Sequence, residues 1–429
     1  MAKPTSLGSA QKLVRVDEWP VTRVQAFNIS PQITSEAKRE LGNRGIVETA
    51  VDTYIPNTVT LNTLDWATTD LWSQLMGENA TADALYSGAS ADRNDFTIDE
   101  DDFAVQECDF IQPVTDPASG ALLHSIWVPN AYITQASLSY SVDGDASENF
   151  TFEAYSDYAL VGKYKDAYVQ IGTYDSSSTF TVTTEVGSPT FAALYVSIND
   201  VIYDAATYVD SWTTDTVTLT GVTVADGDRI RLVYYRITPA VGTYLDTRGI
   251  ASVRGSFVQI GLHVEGSVDG DTKTLRIQNA EIQVTVNREE DKEIGTEGVI
   301  GRSVKYPIIT SVTLTINEND LEEYATLCGL SASWAARESG GLLLRLQDTI
   351  GQDNELWISV YDQNIAASGA VLQKLIKLTN LRVTGRDGSH EVDNKGQVTW
   401  TFEGDNIELA GQGNTGRLAT AYPTAWPTT

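Results

Sequence analysis

The chain has 429 residues, 41% of them hydrophobic, and 58 acidic against 29 basic side chains, for a formal net charge of −29. That length exceeds what one core organises, and the apolar content excludes disorder as a global state. The acidity excludes the long basic stripe of a nucleic-acid binder.

Only 11 of the bases are lysine, and Thr, Val, Ile and Tyr fill short alternating runs, so the chain reads as mainly β. Cys108 and Cys328 form no disulfide framework, and His124, His263 and His390 match no zinc spacing. The polar N-terminus, MAKPTSLGSAQK, has no signal-peptide core, and no apolar run approaches the roughly 20 residues of a membrane helix. A soluble chain made in the cytoplasm is expected, with no membrane partner.

In chain order, the first element is a strand in which Phe27, Ile29 and Ile33 alternate onto one face. A charged segment with a glycine turn follows, Glu36-Ala-Lys38-Arg39-Glu40-Leu-Gly42-Asn43-Arg44-Gly45, and then a strand containing Val59-Thr-Leu61. A short helix is predicted next, with Asp65 as N-cap, Leu71 and Leu75 one turn apart, and Gly77 as terminator. A late strand ends in Phe150-Thr-Phe-Glu153.

Residues 165–240 carry alternating runs around 179–184, 193–203, 216–224 and 229–237, enough for a small β-sandwich or a decorated hairpin. Beyond them the first series starts again. Residues 29–61 lie over 282–314 without a gap, at an offset of 253. Ile29, Glu36, Glu40, Gly42, Gly45, Val59, Thr60 and Leu61 fall on Ile282, Glu289, Glu293, Gly295, Gly298, Val312, Thr313 and Leu314.

Ile282, Val284 and Val286 repeat the phase of the first strand, and Lys292 stands at the position of Arg39. A second helix is predicted with Asn317 or Asn319 as cap, Leu321, Tyr324, Ala325 and Cys328 as its stripe, and Gly329 as terminator. Trp400-Thr-Phe-Glu403 repeats Phe150–Glu153. A long period repeated once is not a solenoid and points to two copies of one domain, over about 13–160 and 250–410. The expected division is 1–164, a first domain with an N-terminal arm; 165–240, an inserted β domain; and 241–429, a second domain with a C-terminal arm.

Three Asp-Gly turns, Val142–Asp145, Ala225–Asp228 and Val268–Asp271, cluster carboxylates as calcium loops do, but the distant bidentate Glu is missing and Asp-Gly is a strong hairpin-turn signal. No nucleophile, P-loop or dinucleotide motif is present, so no catalytic, cofactor or metal site is assigned. The duplicated charged segments are the best functional candidates. Keeping their length, acids and glycines in both copies suggests complementary ion pairs with neighbouring subunits. The candidate contact residues are Glu36, Lys38, Arg39, Glu40, Gly42, Asn43, Arg44, Gly45, Glu289, Lys292, Glu293, Gly295 and Gly298.

These elements resemble the tail tube proteins of long-tailed viruses. The resemblance rests on Glu40-Leu-Gly-Asn-Arg44, the Val-Thr-Leu strands, the short helix, the Phe-Thr-Phe-Glu strand, and Arg254-Gly-Ser-Phe-Val-Gln-Ile260 followed by Leu275-Arg-Ile-Gln278. It covers both repeats and leaves out 165–240.

It implies β-sandwich or barrel domains with a flanking helix, six to a ring, and rings stacked into a tube through which the genome passes. Two domains per chain imply homotrimeric rings. The implied partners are further copies of the chain, the tape-measure protein and viral DNA in the lumen, and terminator and baseplate proteins at the tube ends. The implied location is the virion tail. Alternatives are another tail or baseplate ring protein of the same fold, or a carbohydrate-binding β-sandwich using the tyrosines and Trp212 of the insertion. The low lysine count also fits a halophilic host.

Overall fold

The computed structural model describes the strands given below, the connections 142–146, 253–257 and 405, and residues 221, 224, 225, 228, 363, 364 and 396. The first series comprises β1 (Val14–Val16), β2 (Trp19–Val21), β3 (Val24–Pro31), β4 (Ser35–Lys38), β5 (Glu48–Val51), β6 (Asn57–Leu64), β7 (Phe96–Ile98), β8 (Glu107–Thr115), β9 (Leu122–Ser141), β10 (Ser147–Ala154) and β11 (Ala159–Val161). The insertion holds β12 (Asp166–Thr173), β13 (Thr179–Thr181), β14 (Phe191–Ile198), β15 (Val201–Asp204), β16 (Val209–Trp212), β17 (Thr216–Leu219) and β18 (Arg229–Arg236).

The last series is β19 (Val258–Val264), β20 (Lys273–Thr274), β21 (Ile277–Asp291), β22 (Gly301–Asn317), β23 (Asn354–Tyr361), β24 (Leu372–Ser389), β25 (Gln397–Gly404) and β26 (Asn406–Gly411). The chain is mainly β, as its alternating pattern requires, and its registered ladders are antiparallel. Asn317 is the last residue of β22. The rest of both predicted helices, from Asp65 to Gly77 and from Asn319 to Gly329, lies outside the described residues, as do Ile33 and the turn 268–271.

Two compact units divide the chain. One contains residues 1–59, 107–132 and 153–248. Within it β1 pairs with β2 and β8, β8 with β9, and β9 with β11. Val14, Val16, Phe110, Ile111, Val128 and Ala131 are buried there, and the Phe27 and Phe110 rings meet at 5.6 Å. The segment expected to be an inserted β domain belongs to this unit. It forms a sheet ordered β12-β18-β14-β15 and another ordered β13-β17-β16. Val196, Ile198, Ile230, Leu232, Val233 and Tyr234 are among its buried side chains.

The other unit contains residues 60–106, 133–152 and 249–429. One ladder runs β6–β10–β9–β21–β22–β25–β24 and a second runs β20–β19–β23–β24–β26–β7. β24 serves both, pairing β23 and β26 through its first part and β25 from Arg382 onward. Asn380 stands where it changes ladder, with a φ of 56° that asparagine tolerates better than most residues. Along the first ladder burial alternates: Leu61, Phe150, Phe152, Leu138, Ile282, Val312, Leu314, Trp400 and Phe402 are all buried, whereas β23 is buried from Asn354 through Val360. Each such side chain contributes about 1.5–3 kcal/mol of burial, so a one-residue slip, which would turn them all outward, is strongly disfavoured.

The two series share one pairing scheme. β1, β2, β8, β9 and β11 pair among themselves as β19, β20, β23, β24 and β26 do. β6–β10–β9 likewise parallels β22–β25–β24.

Small features recur with it. Asn130, at φ 52°, is the counterpart of Asn380, 250 residues earlier. Thr134 donates its hydroxyl to the Thr151 carbonyl at 3.1 Å, and Thr384 to the Thr401 carbonyl at 3.2 Å. The register of β8 on β9 shifts between Cys108 and Phe110, and that of β23 on β24 between Asn354 and Leu356. Cys108 Sγ donates to the Ala131 carbonyl, and Asn354 Nδ2 to the Leu381 carbonyl.

Candidate assembly surfaces

The charged segments begin as paired strands. Glu36 and Lys38 belong to β4, where Glu36 is opposite Ala50 and Lys38 opposite Glu48. At the repeat offset, Glu289 is opposite Ser303 and Asp291 opposite Gly301 in the β21–β22 hairpin. All four β4–β5 pairs, from Ser35↔Val51 to Lys38↔Glu48, have counterparts in identical register. The expectation of a loop is therefore corrected for Glu36, Lys38 and Glu289, which lie in hairpin arms. Arg39, Glu40, Gly42, Asn43, Arg44, Gly45, Lys292, Glu293, Gly295 and Gly298 lie outside the described residues.

Exposure rises toward the end of the second arm. Val284 and Val286 are buried, whereas Asn287, Glu289, Ser303, Lys305 and Tyr306 are exposed. Glu289 and Lys305 form an exposed ion pair at 3.3 Å. Such a pair contributes at most about 1 kcal/mol in water, so it leaves both groups available for exchange with other charges.

The second surface is the face of the long ladder opposite its core. Thr60, Asn149 and Thr151, Ser137 and Ser139, Ser311 and Thr313, and Thr399 and Thr401 alternate with the buried residues of their strands. Thr315 and Thr399 share a hydroxyl hydrogen bond across β22 and β25 at 3.3 Å. Glu281, Glu403 and Asp387 add acids to this face, while Arg382 stands opposite Glu403. The face is thus hydroxyl-rich, with negative charge in excess among its described residues.

The third surface is a joint. β9, from Gln135 to Ser141, pairs with β21, from Thr285 to Asn279, and the ladder continues through Val142 N–H to the Gln278 carbonyl at 3.1 Å. A strand of the first series thereby extends the sheet of the second. A buried ion pair fastens the same region: Lys374 Nζ lies 2.9 Å from Glu148 Oε1, with side chains 0% and 3% exposed. Thr63 donates its hydroxyl to the Glu148 carbonyl.

The motif Arg254-Gly-Ser-Phe packs beside this joint. Asp145 and Arg254 form an isolated bridge, and Ala146 N–H donates to the Val253 carbonyl. A Cβ on Gly255 would stand 2.7 Å from the Ser141 carbonyl oxygen, so only glycine allows this approach. The Val142–Asp145 turn connects β9 to β10, and in the second turn Asp228 N–H donates to the Ala225 carbonyl while Asp228 Oδ2 accepts from Ala225 N–H. Turn chemistry accounts for Asp228, whereas Asp145 lies 3.6 Å from the Arg254 guanidinium.

Sequence reasoning missed the paired asparagines, the paired threonines and the acids at the register shifts. Asn130–Thr134 laid over Asn380–Thr384 at the offset of the Phe-Thr-Phe-Glu strands would have found the first two. Asp109 sits at one register shift, fully buried, accepting from Trp127 Nε1 at 2.9 Å and Asn130 N–H at 3.0 Å. Arg231 of β18 completes the cluster, 3.5 Å from Asp109 and donating to Asn130 Oδ1.

No protein-family model matches the chain, and no curated protein does. Among the described residues no group of His, Cys, Asp and Glu is arranged to hold a metal ion, and no helix is long and apolar enough to cross a membrane.

Proposed function

We propose that this chain is the major tail tube subunit of a long-tailed bacterial or archaeal virus and carries two copies of one tube domain. Three chains form a ring of pseudo-sixfold symmetry, and the rings stack into a hollow tube in the virion tail. The tape-measure protein fills the lumen before viral DNA passes to the host, and terminator and baseplate proteins bound the tube. No catalysis is involved.

The observation that carries this reading is the β9–β21 joint, in which equivalent strand series already join edge to edge within one chain. Heterologous contacts of that kind either close into rings or run on, and closure removes the sheet edges that invite aggregation. The hydroxyl-rich face with Glu281, Glu403 and Asp387 supports passage of a polyanion, because its net charge repels phosphate and its hydroxyls bring no fixed cation. On this reading residues 165–240 decorate the outside, since an inward insertion would block the bore. The charged hairpin arms contact neighbouring subunits.

The test is negative-stain microscopy of the purified protein at rising concentration. Rings and tubes are expected, and a monomer that never assembles would sink the reading.

A further inference from the structure

The internal joint has a counterpart on the outside of the chain. Adding the repeat offset of 250 to the β9 residues of the joint leads to β24, and subtracting 253 from the β21 residues leads to β3. β24 spends one edge from Arg382 to Ser389 on β25, and no described strand is registered along its other edge there. Nor is any described strand registered along the edge of β3 that corresponds to the β9-facing edge of β21. β26 gives one edge to β24 and, from Leu409 to Gly411, the other to β7.

We infer that a second copy of this chain occupies these edges, with β24 of one copy pairing antiparallel to β3 of the next. Its register is carried over from the internal joint. Leu138↔Ile282 becomes Gly388↔Ile29, and Ser137↔Gln283 becomes Asp387↔Ser30. This inference rests on the ring-forming reading and names the strands that form the ring.

The hydrogen-bond phase follows as well. The Gln278 carbonyl faces β9, so by alternation Ile282 and Val284 also direct their backbone groups there. Ile29 and Gly388 then exchange two backbone hydrogen bonds. Pro31, the counterpart of Val284, has no N–H to offer, so the ladder weakens at that end of β3.

The two joints differ in strength. Glu148 and Lys374, the buried pair beside the internal joint, have Val398 and His124 as counterparts at the same offset. The outer joint also opposes glycine to isoleucine where the inner one opposes leucine to isoleucine. It is the weaker of the two, as a joint between separate chains that must first fold alone requires.

The phase makes Ser30 and Asp387 a non-hydrogen-bonded pair, with Cα atoms about 4.5 Å apart, within disulfide reach. A full-length chain carrying Ser30→Cys and Asp387→Cys, assembled and then oxidised, is expected to run as covalent dimers and trimers on a denaturing gel. Ser30→Cys paired with Gly388→Cys places the two thiols on opposite faces and is expected to give none, as is Ser30→Cys alone. Rings in the microscope without the Ser30–Asp387 cross-link, or with equal cross-linking at the shifted pair, overturn this joint and leave the tube reading standing. Cross-linked pairs that never form rings keep the joint and sink the tube reading. A chain that stays monomeric and uncross-linked removes both.

Discussion

The register shift on β8 and the one on β23 occupy the same place in the pairing scheme and carry different chemistry. Both set an acid beside the strand that turns at a left-handed asparagine, Asp109 near Asn130 and Glu355 near Asn380. Asp109 is fully buried and gathers Trp127, Asn130 and Arg231. Glu355 pairs with Lys377, the counterpart of Trp127, at 3.2 Å, and Lys377 is 28% exposed over the Trp357 ring. A backbone device has been kept while its side chains diverged, and the first version alone holds the inserted segment through β18.

The difference can be broken where its consequences are largest. Asp109→Ala removes the carboxylate beside the buried Arg231 guanidinium, and removing one partner of a buried pair costs about 3–5 kcal/mol. Urea denaturation followed by tryptophan fluorescence is expected to show that loss. A cost under about 1 kcal/mol would mean that the insertion is not anchored there. Lys374→Met should be of similar size, since it leaves Glu148 buried without its ion-pair partner.

Gly255→Ala sharpens the account of the joint. Its new methyl meets the Ser141 backbone and should cost about 1–3 kcal/mol, where a surface Gly→Ala is near neutral. Thr134→Val and Thr384→Val test the sameness of the two series: each removes one hydroxyl bond and should cost about 1 kcal/mol, equally. The smallest effect is expected from Lys377→Ala, about 0.2–1 kcal/mol, because its ion pair is partly hydrated.

Much of the fold was legible because strand periodicity is local. Leu61, Ile282, Val312 and Phe402 are buried as their alternation demands. The gapless offset of 253 matches the common register of the two hairpin arms, although those segments read as loops, since gapless repetition across a turn leaves pairing unchanged.

Asp109 escaped because Arg231 lies 122 positions further on, and no periodicity links a register shift to an insertion. The offset there is 246, from Cys108 to Asn354, so loops of different length had hidden the match. The β9–β21 joint was equally silent, because Ser137 and Gln283 are ordinary polar strand residues whose pairing depends on the assembled sheet. Of the contact residues, only the strand-borne Glu36, Lys38 and Glu289 lie among the described residues.

The central claim is that two equivalent domains let three chains do the work of six. The rotational symmetry of end-on ring images tests it most directly. The account predicts true threefold symmetry with a strong sixfold component, and three chain masses per ring. Rings of six chains, or rings without a sixfold component, would contradict it.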